Sequence, residues 1–350
     1  MPKISVGILG ATGMVGQTLI QLLGDHPWFK VTELAASDKS AGSRYEDIMG
    51  TRWNISSDIP EYAKDMEIKT CEPKLDCDIV LSALDSSVAG PVEEQFAKAG
   101  YAVSSNAKNH RMDQDVPLLI PEINPDHVDL IGEQRKRRGW EGFIVTDPNC
   151  STIHLALALK PLYDRFGLEK VMVTTMQALS GAGYPGVSSM DITDNVIPFI
   201  NDEEDKVEIE PVKILGKAIN GKIKYADIGI SAQCNRVAVK YGHTECASVK
   251  LGKKATKEDL IRAFEEFRPN KQLKLPSAPQ RPVVYIDKEN RPQPKLDVNT
   301  QNGMASTVGR LRPCKILDYK FVVLGHNLVR GAAGAAILNA ELLKVKGYIS

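Results

Sequence analysis

The sequence lacks several features that would assign it to a specialised class of protein. No apolar run approaches the roughly 18 residues that a membrane-spanning helix needs. Lysine plus arginine equals aspartate plus glutamate at 44 each, which gives no sign of a nucleic-acid or membrane-surface partner. The first predicted strand begins at Ile4, which leaves no room for a secretory signal peptide. We therefore expect a cytoplasmic protein that acts on small molecules.

The six cysteines lack the paired spacing of a metal site. Cys71 and Cys77 are close in sequence, but no second pair or histidine cluster completes a zinc site. We expect no metal and reduced thiols. The chain has 350 residues, of which 43% are hydrophobic and 25% charged, and this balance predicts a globular protein of two domains.

A glycine-rich turn near the start of the chain predicts a dinucleotide site. Residues 4–9 are typical of a buried parallel strand, and Gly10, Gly13 and Gly16 separate that strand from an apolar-faced helix. Glycines at this spacing allow a tight turn, close approach of the backbone to a pyrophosphate, and packing of helix on strand. The alternative is a tight turn without a ligand, but strand, turn and helix in this order favour binding. The residues expected to contact the cofactor here are Gly10, Thr12, Gly13, Met14 and Val15.

A polar loop after the second predicted strand, residues 30–36, bears on the choice between NAD and NADP. Asp38 could accept hydrogen bonds from the ribose hydroxyls of NAD. Ser37, Lys39 and Ser40 could instead hold the extra phosphate of NADP through charge-assisted hydrogen bonds. We favour NADP because the short loop offers several donors.

Alternating strands and helices in the first half predict a doubly wound parallel sheet. Further strands are expected at 78–84, 102–105 and 143–146, with a helix near 91–99, and Ser82 and Ala83 are expected to contact the cofactor. After residue 150 the pattern changes to short alternating strands, which predict a larger antiparallel sheet faced by helices. The segments concerned are strands at 170–177, 244–251, 282–287 and 320–324 and a helix at 257–267.

Cys150 follows the predicted strand 143–146 at the start of a helix, with Ser151 or Thr152 as the expected N-cap. The positive end of the helix dipole lowers the pKa of a thiol placed there, and the N–H groups of the turn can face an oxyanion. The alternative is a small buried hydrophobic residue. The position at the carboxyl edge of a nucleotide-binding sheet favours a nucleophile.

Two histidines compete as the acid–base partner of this thiol. His243 follows Gly242 at the start of a predicted strand, a short distance after Arg236. His154 lies one helical turn beyond Cys150, but its side chain projects along the helix. We therefore predict the acid–base role for His243 and a structural role for His154.

Several motifs together resemble aspartate-semialdehyde dehydrogenase, of the branch found in archaea and fungi, over essentially the whole chain. The motifs are residues 10–16, 149–152, 177–183, 235–237, 242–243 and 326–334. The resemblance implies an α/β fold, with a Rossmann-type parallel sheet domain and an α+β catalytic and dimerisation domain like that of glyceraldehyde-3-phosphate dehydrogenase. It places the NADP-binding domain at 1–149, completed by a C-terminal helix at about 329–350, and the catalytic and oligomerisation domain at 150–328.

The resemblance also implies an activity: NADPH-dependent reduction of aspartyl phosphate to the semialdehyde and phosphate, in lysine, threonine and methionine synthesis, by a homodimer or homotetramer. Cys150 would be the nucleophile, His243 the acid–base residue, Gln177 a group that orients the acyl intermediate, and Asn149 an aid to the oxyanion.

The same resemblance assigns binding residues. Arg236 would pair with the substrate carboxylate, Arg111 and Lys206 with phosphate, and Glu203 with the substrate amine. For Glu203 and Lys206 the alternative is a solvated acidic loop at 202–205. Ser180, Gly181 and Asn327 would contact the cofactor.

Other functions remain open on the sequence. Malonyl-CoA and succinyl-CoA reductases resemble diverged members of the same branch and would keep the cysteine, histidine and arginine. Acetylglutamyl-phosphate reductase is a weaker rival, because its cysteine motif carries glycine where this chain has Asn149. A catalytically silent NADP-binding or regulatory protein is the rival of another class, and an inert thiol at Cys150 would support it.

Overall fold

Two six-stranded sheets organise the fold of the computed structural model, which describes residues 2–269 and 273–350. One sheet is wholly parallel and the other is mixed, so the predicted fold class is confirmed. Among the described residues, no helix combines the length and apolar character that crossing a membrane requires.

The parallel sheet has the strand order β3-β2-β1-β4-β5-β6. Its strands are β1 (Ile4–Leu9), β2 (Phe29–Ala36), β3 (Ile68–Thr70), β4 (Ile79–Ser82), β5 (Ala102–Ser105) and β6 (Phe143–Thr146). The sequence predicted β1, β5 and β6 with these bounds, because buried parallel strands are short apolar runs. The sequence did not predict β3, a three-residue strand at the edge of the sheet.

The mixed sheet has the strand order β10-β7-β11-β14-β13-β12. Its strands are β7 (Leu168–Gln177), β10 (Gly229–Arg236), β11 (His243–Leu251), β12 (Val283–Ile286), β13 (Ser306–Pro313) and β14 (Tyr319–Gly325), and a separate two-stranded sheet contains β8 (Lys217–Ile219) and β9 (Lys222–Lys224). The prediction of an antiparallel sheet is wrong at two pairings, since β7–β10 and β12–β13 are parallel. A long connection containing a helix joins β7 to β10 and permits the parallel pairing.

Helices cover both sheets. They are α1 (Met14–Leu23), α2 (Tyr45–Met49), α3 (Glu61–Lys64), α4 (Ser86–Lys98), α5 (Leu130–Arg138), α6 (Cys150–Phe166), α7 (Ser189–Ile192), α8 (Glu203–Ile214), α9 (Lys257–Glu266), α10 (Pro294–Asp297) and α11 (Gly334–Val345). The acidic segment after residue 202 is thus a helix rather than the solvated loop that was the alternative. Single turns of 3₁₀ helix lie at Pro125–Asp129 and Leu179–Ala182, and a π-helical turn lies at Val329–Ala333.

The C-terminal helix α11 packs on the parallel sheet. Ile337 and Leu338 lie in the same buried cluster as Val6 and Ile8 of β1. The chain therefore leaves the mixed sheet at the end of β14, passes through the π-helical turn and returns to the first sheet. This return brings residues 326–333 to the region where the two sheets meet.

Candidate active site

The strand order of the mixed sheet gathers polar side chains at one edge. Gln177 and Arg236 are the last residues of the parallel neighbours β7 and β10 and are register partners. His243 is the first residue of the antiparallel neighbour β11 and pairs with Gly325 at the end of β14. Residues that are distant in sequence thus share one edge, which faces the turn that carries Cys150.

Asn149 is the N-cap of α6, and Cys150 is the first residue of that helix. The Asn149 Oδ1 accepts hydrogen bonds from the N–H groups of Ser151 at 2.9 Å and Thr152 at 3.2 Å. The prediction of Ser151 or Thr152 as the N-cap is wrong, because their N–H groups are the capped donors. Asn149 Nδ2 donates to Glu203 Oε1 at 2.8 Å, so both ends of the amide fix the turn around the thiol.

The sulfur of Cys150 lies 3.0 Å from Nε2 of His243. His243 Nδ1 lies 3.0 Å from the N–H of Ala178 and accepts from it. In a neutral imidazole only one nitrogen carries hydrogen, so this bond puts the hydrogen on Nε2. His243 therefore presents a donor to the sulfur, and protonation of its Nδ1 is opposed by the Ala178 N–H.

Burial dominates the protonation of this pair. Burial of the sulfur raises the pKa of Cys150 to about 12, with Glu203 adding to the rise, while Arg111, Arg236 and the Ser151 N–H oppose it. The lowered thiol pKa expected at a helix N-terminus is therefore wrong, because desolvation outweighs the dipole. Burial, together with Arg236 and His326, lowers the pKa of His243 to about 3. The pair is a neutral imidazole facing a thiol that needs further stabilisation to ionise.

Arg111 lies beside this pair and lines the same cavity. It is 7% exposed. Its Nη1 donates to Glu210 Oε1 at 3.0 Å and its Nη2 to the Asn106 carbonyl at 2.6 Å. Burial would lower its pKa, but the carboxylates of Glu210 and Asp147 raise it above the ordinary value. Arg111 is a fixed cation within reach of an anion in the cavity.

Glu203 and Lys206 form an ion pair on the first turn of α8, with Nζ 3.1 Å from Glu203 Oε2. Glu203 is buried and also accepts from Asn149, while Lys206 is half-buried. The structure thus brings both residues to the Cys150 turn, although neither is among the residues that line the cavity.

Arg236 and Gln177 lie at the edge of the mixed sheet that faces the thiol. Arg236 is 6% exposed, and its Nη1 donates to the Ala178 carbonyl at 2.7 Å. A Cβ atom at Gly181 would lie 3.0 Å from both Arg236 Nη1 and the His243 ring, so glycine there allows close packing of the loop. Gln177 is buried, and its Nε2 donates to Thr175 Oγ1 at 3.2 Å.

A cavity of about 630 Å³ connects the glycine-rich turn to Cys150. Gly10 has φ +77°, and a Cβ there would lie 2.6 Å from the Ala83 carbonyl oxygen. Asn327 Nδ2 donates to Ser180 Oγ at 2.8 Å, which joins the C-terminal segment to the loop after β7. The expected cofactor residues that line the cavity are Gly10, Thr12, Gly13, Met14, Val15, Ser37, Ala83, Ser180, Gly181 and Asn327.

Three other expected cofactor residues do not line this cavity. Ser82 is fully buried and its hydroxyl donates to Glu93 Oε1 at 2.6 Å, so its side chain cannot face a ligand. Ser40 is also buried, whereas Lys39 is exposed at the end of β2 beside Ser37. Of these three, Lys39 alone has a side chain free to reach the mouth of the cavity.

His154 points away from the thiol. Its ring is fully buried, and Nδ1 lies 2.8 Å from Ser306 Oγ on β13. A Cβ at Gly325 would lie 1.9 Å from the ring, so the strand and the histidine are packed in contact. This environment is that of a core residue.

Two family models match the chain: "Semialdehyde dehydrogenase, NAD binding domain" over residues 5–131, and "Semialdehyde dehydrogenase, dimerisation domain" over residues 159–330. An aspartate-semialdehyde dehydrogenase of Archaeoglobus fulgidus is 55% identical, with 97% of this chain and 98% of that protein covered. The chain belongs to the aspartate-semialdehyde dehydrogenase family. The predicted resemblance is confirmed.

Two other similar proteins refine the comparison. The crystal structure of aspartate semialdehyde dehydrogenase with NADP from Candida albicans has a TM-score of 0.91 and 42% identity, covering 99% of this chain and 100% of that one. A malonyl CoA reductase (NADP) of Metallosphaera sedula is 44% identical, covering 99% of this chain and 98% of that protein.

Sequence reasoning about this aspartate-semialdehyde dehydrogenase family member missed Glu210. Its carboxylate is 1% exposed and bonds to both Arg111 and the Asn149 N–H. The signal was available in the spacing: Glu203, Lys206 and Glu210 recur at helical intervals and share one face of α8. The acidic composition of the segment concealed that periodicity.

Proposed function

We propose that the chain catalyses NADPH-dependent reduction of L-aspartyl 4-phosphate to L-aspartate 4-semialdehyde and phosphate through a thioester on Cys150. The observation that carries the proposal is the contact of 3.0 Å between Cys150 Sγ and His243 Nε2, in a cavity shared with Arg111 and the glycine-rich turn. The site thus places a nucleophile (Cys150), a hydrogen-bond donor (His243) and a buried cation (Arg111) close together. These are the groups that acyl transfer with an anionic leaving group requires.

The residues present fit a nicotinamide dinucleotide. A Cβ at Gly10 or Gly16 would lie 2.6 Å or 2.3 Å from a carbonyl oxygen, so only glycine lets the turn remain tight beneath a pyrophosphate. Ser37 and Lys39 are both exposed at the end of β2 and supply donors for the extra phosphate of NADP. When bound, NADPH supplies the hydride. We propose residues 1–149 and about 329–350 as its domain, and residues 150–328 as the catalytic and oligomerisation domain.

We assign each charged group of the substrate to a side chain of opposite charge. Arg236 is set to pair with the substrate carboxylate, since a planar guanidinium makes two parallel hydrogen bonds to a carboxylate. Arg111, with Lys206 nearby, is set to bind the phosphate. Glu203 is the group for the substrate amine, and its existing bonds to Asn149 and Lys206 hold it beside the thiol turn.

The chemistry proceeds in two stages. The sulfur of Cys150 attacks the acyl carbon, so a carbon–sulfur bond forms, phosphate departs with the electrons of the carbon–oxygen bond, and the thiol proton leaves on the phosphate. Addition of hydride to the thioester carbon gives an oxyanion, which collapses to the aldehyde and returns the electron pair to sulfur. Gln177 is positioned to orient the acyl group, and the N–H groups at the start of α6 to face the oxyanion.

His243 acts in this scheme chiefly as a donor. With Nδ1 occupied by the Ala178 N–H, its Nε2–H stabilises negative charge on the sulfur and then on the substrate oxygen. A pKa of about 3 keeps the ring neutral across the ordinary assay range. Asn149 fixes the turn through its cap, and its Nδ2 donates to Glu203 rather than to the oxyanion.

A direct assay distinguishes the two substrates. Purified protein is given aspartate semialdehyde, phosphate and NADP, and in parallel malonyl-CoA or succinyl-CoA with NADPH. Phosphate-dependent oxidation of the semialdehyde, lost in Cys150→Ala, is the expected result. Turnover of a coenzyme A thioester without a phosphate requirement would reject the proposed substrate and retain the thioester mechanism.

We further propose a homodimer or homotetramer and a place in lysine, threonine and methionine synthesis. The matched dimerisation domain supports assembly, as does the exposed outer face of the mixed sheet, where Met172 is 55% exposed. Light scattering coupled to gel filtration tests the assembly, and a monomer at micromolar concentration would contradict it. Growth of a strain that requires these amino acids tests the pathway.

A further inference from the structure

Glu210 joins two parts of the site that are far apart in sequence. Its Oε1 accepts from Arg111 Nη1 at 3.0 Å, and its Oε2 accepts from the Asn149 backbone N–H at 2.7 Å. The carboxylate is 1% exposed. One buried group therefore fixes both the guanidinium in the cavity and the residue that precedes Cys150.

The hydrogen bonds of Arg111 leave part of its guanidinium available. Glu210 and the Asn106 carbonyl each take one of its donors. Its buried Nε has no hydrogen-bond partner within residues 2–269 and 273–350. An arginine has five N–H donors, so the two fixed bonds orient the fork while the remaining donors can meet an anion.

We propose that Glu210 is a positioning residue that couples anion binding at Arg111 to the orientation and ionisation of Cys150. The identity of the anion as phosphate rests on the proposed function. A carboxylate is required because both neighbours are donors. A glutamine in its place would accept from one of them and direct its own NH₂ at the other.

The coupling has an electrostatic consequence. Glu210 neutralises the charge of Arg111, and Arg111 is one of the groups that favour the Cys150 thiolate. Removing the carboxylate therefore leaves Arg111 more effective at stabilising the thiolate, while its guanidinium is less well aimed. Thiol ionisation becomes easier and phosphate binding becomes weaker, a combination that loss of packing does not produce.

Glu210→Gln tests the proposal, with Glu208→Gln as the matched control. Glu208 lies on the same helix and its Oε1 accepts from the Ala232 N–H at 2.9 Å. Three quantities are measured in each variant: the Michaelis constant for phosphate, the Michaelis constant for semialdehyde, and the pH dependence of Cys150 alkylation by iodoacetamide, followed by peptide mass spectrometry.

In Glu210→Gln we expect the Michaelis constant for inorganic phosphate to rise about two- to tenfold, less than in Arg111→Leu, because the guanidinium is kept and only its orientation is lost. The constant for semialdehyde should change far less, and the alkylation profile should move to lower pH. Glu208→Gln should match the wild type in all three. Glu210→Asp keeps two acceptors and should retain the wild-type alkylation profile, which gives a second variant if Glu210→Gln folds poorly.

The outcomes separate this inference from the proposed function. An alkylation profile in Glu210→Gln that is unchanged, or moves to higher pH, overturns the coupling whatever the substrate is. A wild type that ignores phosphate removes the proposed substrate, while a shift of the profile to lower pH would still support the link from Glu210 to Cys150.

Discussion

Replacing His243 by asparagine tests which interaction of this residue supports catalysis. The Oδ1 of asparagine lies near the position of Nδ1, so it can keep the bond of 3.0 Å from the Ala178 N–H. The contact of 3.0 Å between Nε2 and the Cys150 sulfur is lost. The variant should therefore fold, because only the side of the ring that faces the sulfur is removed.

The expected loss in kcat follows from that single contact. Removing a positioned acid–base group or an oxyanion donor costs a factor of about 10² to 10⁴, equivalent to about 2.7–5.5 kcal/mol of transition-state stabilisation. The Michaelis constants should change little, because the proposed role of His243 is at the reacting atoms and not at the charged groups of the substrate. Steady-state kinetics with both substrates gives these values, and a thermal scan checks the fold.

His154→Asn is the matched control. The asparagine can keep the contact with Ser306 Oγ, but the smaller side chain leaves a void against Gly325, which should cost about 1–3 kcal/mol of stability. Its kcat should stay within the range of the wild type. A large loss of kcat in His154→Asn with little effect in His243→Asn would refute the assignment of the two histidines.

Three further outcomes are expected. Lys39→Glu should reduce kcat/KM with NADP more than with NAD, and equal wild-type efficiencies with the two cofactors would contradict the assignment of the phosphate loop. Arg111→Leu should raise the Michaelis constant for phosphate about ten- to a hundredfold, and Arg236→Leu should raise the Michaelis constant for semialdehyde by a similar factor. Arg236→Lys should not restore semialdehyde binding, because an ammonium group cannot make two parallel hydrogen bonds to a carboxylate. Equal effects on the Michaelis constants of both substrates would indicate a structural role. Tm should fall as pH decreases from 6.5 to about 4, because burial holds the pKa of His243 at about 3 and that of His326 at about 4, so the unfolded chain binds more protons in this window; a flat Tm there would reject the neutral buried imidazoles.

Much of the parallel sheet was predictable because its signals are local. A buried strand such as β1 is a continuous apolar run, and the following turn needs Gly10 for its positive φ. The strands and pairings of the mixed sheet were harder to predict from sequence. Strands β10 and β13 contain polar residues on their exposed faces, and the parallel pairing of β10 with β7 depends on the path of the chain through α8.

The candidate site was likewise predictable from sequence only in part. Cys150 and His243 were identified from their places at a predicted helix start and strand start, whereas the roles of Gln177 and Arg236 came from the family resemblance, and the strand that ends at Arg236 was not predicted. Their distances were not available, since register between β7, β10 and β11 brings them to one edge. The helical spacing of Glu210 with Glu203 and Lys206 was available in the sequence, but its bonds to Arg111 and Asn149, which belong to other elements, were not.

The protonation of the thiol shows most directly what tertiary structure adds. The position of Cys150 at the start of α6 can be inferred from sequence, and the helix dipole by itself favours the thiolate. Whether the dipole prevails depends on how far neighbouring elements remove water from the sulfur and on the charges that they bring near it. Here burial and Glu203 outweigh Arg111 and Arg236, so the pKa is raised. The sequence determines that Cys150 begins a helix after a buried strand, but desolvation depends on all surrounding segments and is set when the chain packs.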